Sequence, residues 1–326
     1  MSAKKFDIIA IGDSTLDVFL EIDEATVLCD IHKENCRLCF NYADKIPVKR
    51  VTQIPGVGNA ANNAYGSARL GLRAAIYTVL GSDDTGREIR AHFRQSNIAL
   101  DYVQMDKKRG SNFSTVLNFQ GERTILVYHE KHHYSLPRFA STRWVYYTSL
   151  AAGHDKLHSQ LPRFIKKSGA QLAFNPGTFQ LKEGVKKLRP ILQTTELLIV
   201  NREEGERLVG KNPDIKQLMR TLHGTGPKMI VVTDGQNGAY LFAEDIFYYL
   251  PIFDSPVVER TGCGDAFSTG FIAGLIRGNT PAQALRWASF ASVGVLQEIG
   301  AQKGFPSESK MRLMLRQHPD YQAKKI

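Results

Sequence analysis

The sequence predicts an α/β fold: a three-layer α/β/α sandwich with a mainly parallel central sheet and a small inserted β-sheet over its pocket. Three observations predict it. Apolar runs of strand length alternate with helical runs over nearly all of the 326 residues, and such alternation puts crossover helices on both faces of a parallel sheet. Two stretches, 18–51 and 102–128, break the alternation and read as shorter strands and turns. A loop of small residues, Arg260-Thr-Gly-Cys-Gly-Asp265, then runs straight into a strongly helical segment, and ligands of such folds bind beyond the carboxyl ends of the strands.

Taken in order, strands are expected at 7–11, 74–80, 144–148, 171–174, 197–200, 229–233, 239–242 and 246–253. Helical runs fall at 62–70, 86–96, 156–167, 203–209 and 266–276. Within the second insertion, 114–119 and 123–128 flank Gln120-Gly121 and read as a hairpin. The segment 317–326 is polar and reads as a frayed end. No internal repeat or long low-complexity linker divides the chain, which is read as one domain over 1–326.

Hydrophobic residues make up 43% and charged residues 23% of the chain, an ordinary balance for a globular protein. No apolar run approaches the roughly 20 residues that span a bilayer. The start, Met1-Ser-Ala-Lys-Lys-Phe-Asp7, has no signal-peptide pattern, so a cytoplasmic location with no membrane partner is expected. Lys and Arg number 42 against 32 Asp and Glu, a formal charge of +10. The positive charges are scattered, the densest short group being Lys186-Lys187-Leu-Arg189. No helix-turn-helix or RNP-like motif accompanies them, and no nucleic-acid partner is expected.

A loop entering a helix gathers unpaired backbone N–H groups around one point, and the helix dipole adds to their attraction for an anion. Asp265 sits at that point. A carboxylate there makes sense if it takes a proton from a nucleophile while the amides hold the charge developing on a phosphoryl group. The competing reading is an ordinary N-cap in a glycine-rich helix entry. Gly262-Cys-Gly-Asp265 resembles, one for one, the Gly-Ala-Gly-Asp turn of the phosphofructokinase B (PfkB), or ribokinase-like, carbohydrate kinases, whose signature reads Asp-Thr-Thr-Gly-Ala-Gly-Asp. The resemblance implies that the amides of Gly262, Cys263 and Gly264 form an anion hole. It also implies that Asp265 activates the hydroxyl attacking the γ-phosphate of ATP. The leading Asp-Thr of the signature is Glu259-Arg260 here. In several members that Asp helps hold a monovalent cation; Glu is one methylene longer, so K⁺ activation stays open. Arg260 offers positive charge to the triphosphate instead, beside Thr261.

Further segments follow the family's order from about residue 6 to about 304. Gly12-Asp13-Ser-Thr-Leu-Asp17 ends the first strand, and its carboxylates suit acceptance from sugar hydroxyls. Asp17 is expected on the substrate, with Asp13 near it or in an Asx-turn. Pro55-Gly-Val-Gly-Asn-Ala-Ala-Asn62, leading to Ala68-Arg-Leu-Gly71, resembles the family's Gly-Gly-x-x-x-Asn…Ala-Arg-Leu-Gly. It implies close backbone approach at Gly58 and a sugar contact from Asn62; Val57 replaces the first glycine. Gly81-Ser-Asp83-Asp-Thr-Gly86 reads as a turn that N-caps the next helix. Asn201-Arg-Glu-Glu204 resembles the family's Asn-x-x-Glu, implying that Asn201 and Glu204 order Mg²⁺ and phosphate, the Glu through water. Thr233-Asp-Gly235-Gln-Asn-Gly238 resembles the Thr-x-Gly-x-x-Gly of the nucleotide site, with 288–295 and Gly300-Ala301 flanking adenine.

The chain has four cysteines, of which Cys29, Cys36 and Cys39 share the first insertion with His32. Cys-x-x-His followed by Cys-x-x-Cys offers a zinc ligand set. The pairs are only three residues apart, however, and strand alternation separates the side chains, so reduced, partly buried thiols are expected instead. Arg123, in Gly121-Glu-Arg-Thr124 with Lys107, Lys108 and Arg109 nearby, matches a family Gly-x-Arg on the lid. It is either a contact for a phosphate already on the sugar or part of a solvated turn. His129, His132 and His133 read as surface residues. In the family the β lid covers the sugar and often carries a dimer contact, which implies a homodimer. The expected activity is ATP- and Mg²⁺-dependent phosphorylation of a sugar or sugar phosphate. A nucleoside kinase of the adenosine type and a catalytically silent sugar-binding protein remain as alternatives.

Overall fold

A computed structural model of the chain describes residues 5–30 and 36–326. The chain begins with β1 (Phe6–Ile11), β2 (Thr15–Ile22), β3 (Thr26–Cys29), β4 (Cys36–Cys39) and β5 (Val48–Val57), then α1 (Asn59–Arg69), β6 (Ala74–Gly81) and α2 (Asp84–Gln95). Next come β7 (Ala99–Asp106), β8 (Asn112–Phe119), β9 (Glu122–Tyr128), β10 (Thr142–Tyr147), α3 (Asp155–Ser168), β11 (Gln171–Phe174) and α4 (Thr178–Leu192). β12 (Leu197–Asn201), α5 (Arg202–Val209), α6 (Ile215–His223), β13 (Met229–Thr233), β14 (Ala239–Ala243) and β15 (Ile246–Leu250) follow. Last are α7 (Cys263–Ile276), α8 (Pro281–Leu296), α9 (Glu308–Gln317) and β16 (Lys324–Lys325).

Ten strands form one sheet in the order β16-β15-β14-β13-β12-β11-β10-β1-β6-β7. Neighbours from β13 to β7 are parallel, and β14, β15 and β16 join antiparallel. The parallel strands are apolar on both faces because helices cover both. Ile8, Ala10 and Tyr146 pack on one side with Ala61, Phe271 and Phe290. Ile9, Ile11 and Tyr147 alternate to the other side, against Leu157, Leu188 and Leu218. The expected three-layer sandwich is thus present, with a mixed sheet at its centre.

A second sheet has the order β5-β2-β8-β9, and β3 pairs with β4 as a separate ribbon. The β8–β9 hairpin turns at Gln120 and Gly121, both at positive φ, where the sequence expects it. The expected edges of the inserted segments shift. β7 pairs with β6 in the main sheet, and Tyr102 packs its ring on Phe6 and Phe139. The second segment therefore joins the small sheet only from Asn112, not from 102, and the first spans Thr15 to Val57 rather than 18–51.

Two further expectations are corrected. Cys29 and Cys36 face each other across the β3–β4 ribbon and are joined in a disulfide, both exposed. Reduced, partly buried thiols were expected there; the bond also removes two sulfurs from any zinc set. Cys39 keeps a free thiol, and His32 lies outside the described residues. The chain's end is not frayed either. β16 pairs with β15, and the Tyr321 hydroxyl donates to the Pro251 carbonyl at 2.6 Å while its ring packs on Phe253 and Phe290. Strand pairing and one half-buried aromatic anchor a segment whose composition is otherwise polar.

Candidate active site

α7 begins at Cys263, three residues before the helical run expected from the sequence, with Gly262 as its N-cap at φ 74°. The left-handed backbone there favours glycine, and a Cβ would stand 2.3 Å from the Ala301 Cβ. Cys263, Gly264 and Asp265 thus form the first helical turn. The amides of Gly264 and Asp265 have no backbone acceptor among the described residues, as expected of amides that open a helix.

Asp265 Oδ2 accepts from Asn62 Nδ2 at 2.7 Å. Asn62 Oδ1 in turn accepts from Gln302 Nε2 at 3.0 Å, and the same nitrogen of Gln302 donates to the Gly56 carbonyl at 2.8 Å. Asn62 therefore holds Asp265 in place and keeps one amide hydrogen for a further acceptor. Burial pushes the Asp265 carboxyl up to about 6; the Asn62 bond opposes the shift and the negative charge of Glu204 adds to it.

Two cavities meet at this turn. The first, of about 240 Å³, is walled by Asp13, Asp17, Gly58, Asn62, Ser114, Ile125, Val127, His129, Thr261, Gly262 and Asp265 among others. Asp17 Oδ1 is buried there without a hydrogen-bond partner, a costly state that a hydroxyl donor would relieve. Burial raises the Asp17 carboxyl to about 6, opposed by Ser114 and reinforced by Glu259. Asp13 borders the cavity but has both oxygens engaged, by the Tyr134 hydroxyl and the Ala151 amide, each at 2.7 Å. Gly58 sits at φ 105°, and a Cβ would stand 3.0 Å from the Asp13 carbonyl oxygen.

The second cavity, of about 200 Å³, is mostly apolar, with Thr233, Gly235, Gly238, Pro251, Phe253, Cys263, Gly264, Phe267 and Val293 in its walls. Gly235 and Gly238 stand at either end of a 3₁₀ turn after β13. Burial raises the Cys263 thiol, with Asp265 adding to it. Gly262 and Asp265 face the first cavity while Cys263 and Gly264 face the second, so the start of α7 is the partition between them.

Asn201 and Glu204 open α5 as a reciprocal capping box: Asn201 Oδ1 accepts from the Glu204 amide at 2.8 Å, and Glu204 Oε2 from the Asn201 amide at 2.9 Å. Burial raises the Glu204 carboxyl. Glu204, whose charge raises the Asp265 carboxyl and whose Oε1 is left over from its cap, offers with Asp265 the hard oxygen chemistry that fits Mg²⁺.

Other residues fall elsewhere than the sequence suggests. Arg123 does not wall the first cavity; its guanidinium pairs with Glu259 Oε1 and Thr261 Oγ1, bridging the β8–β9 hairpin to the loop before α7. Glu259 Oε2 accepts from the Gly300 amide at 2.5 Å, so both of its carboxylate oxygens have hydrogen-bond partners. Thr261 walls the first cavity rather than the second. Arg260 is exposed and borders, with Arg123 and Glu259, a separate hollow of about 370 Å³. Asp83 N-caps α2 as expected, accepting from the Gly86 amide at 2.7 Å. His129 and His133 are exposed, as expected, but His132 is not a surface residue. His129 reaches the first cavity, its Nδ1 3.8 Å from Asp13 Oδ2, and His132 is buried with Nδ1 3.2 Å from Asp106 Oδ2. The segment after β9 carries His129 to the wall of the first cavity. Sequence reasoning missed Gln302, Ser114 and His129; only Gln302, next to Gly300-Ala301, adjoins a recognised motif.

A three-layer α/β sandwich with a smaller sheet inserted beside its cleft is the ribokinase-like architecture. Residues 21–308 match the pfkB family of carbohydrate kinases, and the chain belongs to that family. It is 27% identical over 249 residues to an uncharacterised sugar kinase of Archaeoglobus fulgidus, covering 74% of this chain and 98% of that one. It is 23% identical over 310 residues to a nucleoside kinase of Methanothermobacter thermautotrophicus, covering 92% of each. The fold superposes on the ribokinase of Arabidopsis thaliana complexed with ribose and ATP with a TM-score of 0.79 at 21% identity, over 95% of this chain and 99% of that one. At the level of the family, the activity is ATP-dependent phosphorylation of a small sugar or nucleoside.

Proposed function

We propose that this chain transfers the γ-phosphoryl group of ATP to a hydroxyl of a sugar or sugar phosphate bound in the first cavity. The observation that carries the reading is the first turn of α7, which divides a cavity holding the half-buried carboxylates of Asp17 and Asp265 from a more apolar one of a size to take a purine. In this account Asp265 accepts the proton of the attacking hydroxyl. The amides of Gly264 and Asp265, free of backbone acceptors among the described residues, stabilise the charge on the group in flight together with that of Gly262, while the Cys263 amide donates to the Arg260 carbonyl at 3.4 Å. Asp17 takes hydroxyl hydrogens of the acceptor through its unpartnered oxygen, and Asn62 orients Asp265. Thr233, Gly235 and Gly238 border the nucleotide. Mg²⁺, held through water by Glu204 with Asn201 alongside, would neutralise charge on the phosphates.

The second sheet is the lid of this account. Arg123 fastens it to the loop before α7 instead of contacting a sugar phosphate. Phe113 and Tyr128 lie on the face opposite Ser114 and Val127, with rings 5.4 Å apart and a little under half exposed; that apolar face supports a homodimer through the lid. The chain is proposed to act without nucleic acid or membrane.

A nucleoside acceptor is the second reading, favoured by Ile125 and Val127, which give the first cavity an apolar wall on which a base could rest. Release of ADP from MgATP with ribose, fructose, fructose phosphates and adenosine tests both. Turnover with a sugar supports the first reading, and turnover with adenosine alone supports the second. No turnover with any of them contradicts both and leaves a sugar-binding protein without activity.

A further inference from the structure

Among the described residues, one group of three metal-ligating side chains stands together: His154, His158 and Glu183, away from the cleft. His154 caps the start of α3, His158 lies one turn later on the same helix, and Glu183 comes from α4. Both imidazoles are nearly enclosed, at 3% and 6% exposure. His154 Nδ1 lies 2.7 Å from the Ala151 carbonyl oxygen. Only an N–H can make that contact, so in the neutral ring Nε2 carries the lone pair. That Nε2 has no hydrogen-bond partner, nor does either nitrogen of His158 or Oε2 of Glu183. Buried polar atoms left unpaired at one point are costly unless something bridges them.

The spacing suits a bridging ion. His158 Nδ1 is 3.5 Å from Glu183 Oε2, without the alignment of a hydrogen bond, and the ligand atoms of the three residues lie within 4.8 Å of one another. Donor atoms on a tetrahedron with bonds of roughly 2.0–2.1 Å stand about 3.3 Å apart. A histidine whose other nitrogen donates to a backbone carbonyl is the usual form of a metal-ligating imidazole. Two imidazoles and one carboxylate select zinc-like first-row ions over Mg²⁺, which prefers oxygen alone. Lys187 Nζ lies 2.6 Å from Glu183 Oε1, which leaves Oε2 for the ion.

We propose that His154, His158 and Glu183 bind one Zn²⁺-class cation, with water in the fourth position. The site would tie α3 to α4 behind the substrate cavity. The Ala151 carbonyl oxygen meets His154, and the Ala151 amide donates to Asp13 at 2.7 Å.

The test uses untagged, chelator-stripped full-length protein titrated with Zn²⁺ against a chromophoric indicator, in excess Mg²⁺, with Co²⁺ as a spectroscopic substitute. The wild type is expected to bind about one equivalent, to show the visible absorption of four-coordinate Co²⁺, and to melt higher with zinc. His158→Gln and Glu183→Gln should each lose at least about tenfold in affinity. Absence of stoichiometric binding and of the Co²⁺ spectrum in the wild type would overturn the site, as would binding unchanged in both variants. The wild-type spectrum decides if a variant fails to fold.

Discussion

Asp17 and Asp265 are carboxylates that burial has raised to about 6, and the proposed chemistry needs both ionised. Below that value each is protonated and loses its acceptor role. The acceptor kcat/KM is therefore expected to climb with pH and level off above about 6, with two ionisations on the acid side. Asp17→Asn should remove one ionisation and raise the acceptor KM about ten- to hundredfold, the cost of a hydrogen bond to a charged group. A profile flat from pH 5 to 8 would exclude both residues. The same shifts carry a stability consequence of known sign. A carboxyl raised above its unfolded value of 3.8 favours the fold below that value, and the benefit is lost as pH rises through about 6. Asp17→Asn should therefore raise the melting temperature more at pH 8 than at pH 4.

At the scale of elements, the β8–β9 hairpin and the loop before α7 act together through Arg123, Glu259 and Thr261. A closed lid keeps water from competing with the acceptor. Arg123→Ala is expected to raise ADP release without acceptor several-fold relative to phosphoryl transfer, measured as ADP formed with and without substrate. An unchanged ratio would show that the pairing is only structural. The hairpin itself was legible, since its strands alternate around Gln120-Gly121. The sheet to which 99–106 belongs was not, because an apolar periodicity does not say which neighbour a strand takes. The early start of α7 was hidden by glycines with low helix propensity, and it becomes visible only in the left-handed Gly262 that caps it.

Across the whole molecule, residues far apart in the chain meet at one turn. Asp17, Asn62, Thr233 and Asp265 were legible in the sequence because each lies within a local motif. Gln302, 240 residues from the Asn62 it holds, was not, since its role exists only after folding. The same holds for Arg123: the motif located it on the hairpin, but only the packed structure shows that Glu259 occupies it. The polar tail misled because strand pairing and a single ring, Tyr321, decide its packing.

The central claim is that Asp265, held between two cavities, takes the proton from the acceptor. Its most direct test is the turnover of Asp265→Asn with an accepted substrate, alongside its affinity for MgATP. The account predicts a kcat lowered about 10²–10⁴-fold with nucleotide binding little changed; turnover close to wild type would contradict it.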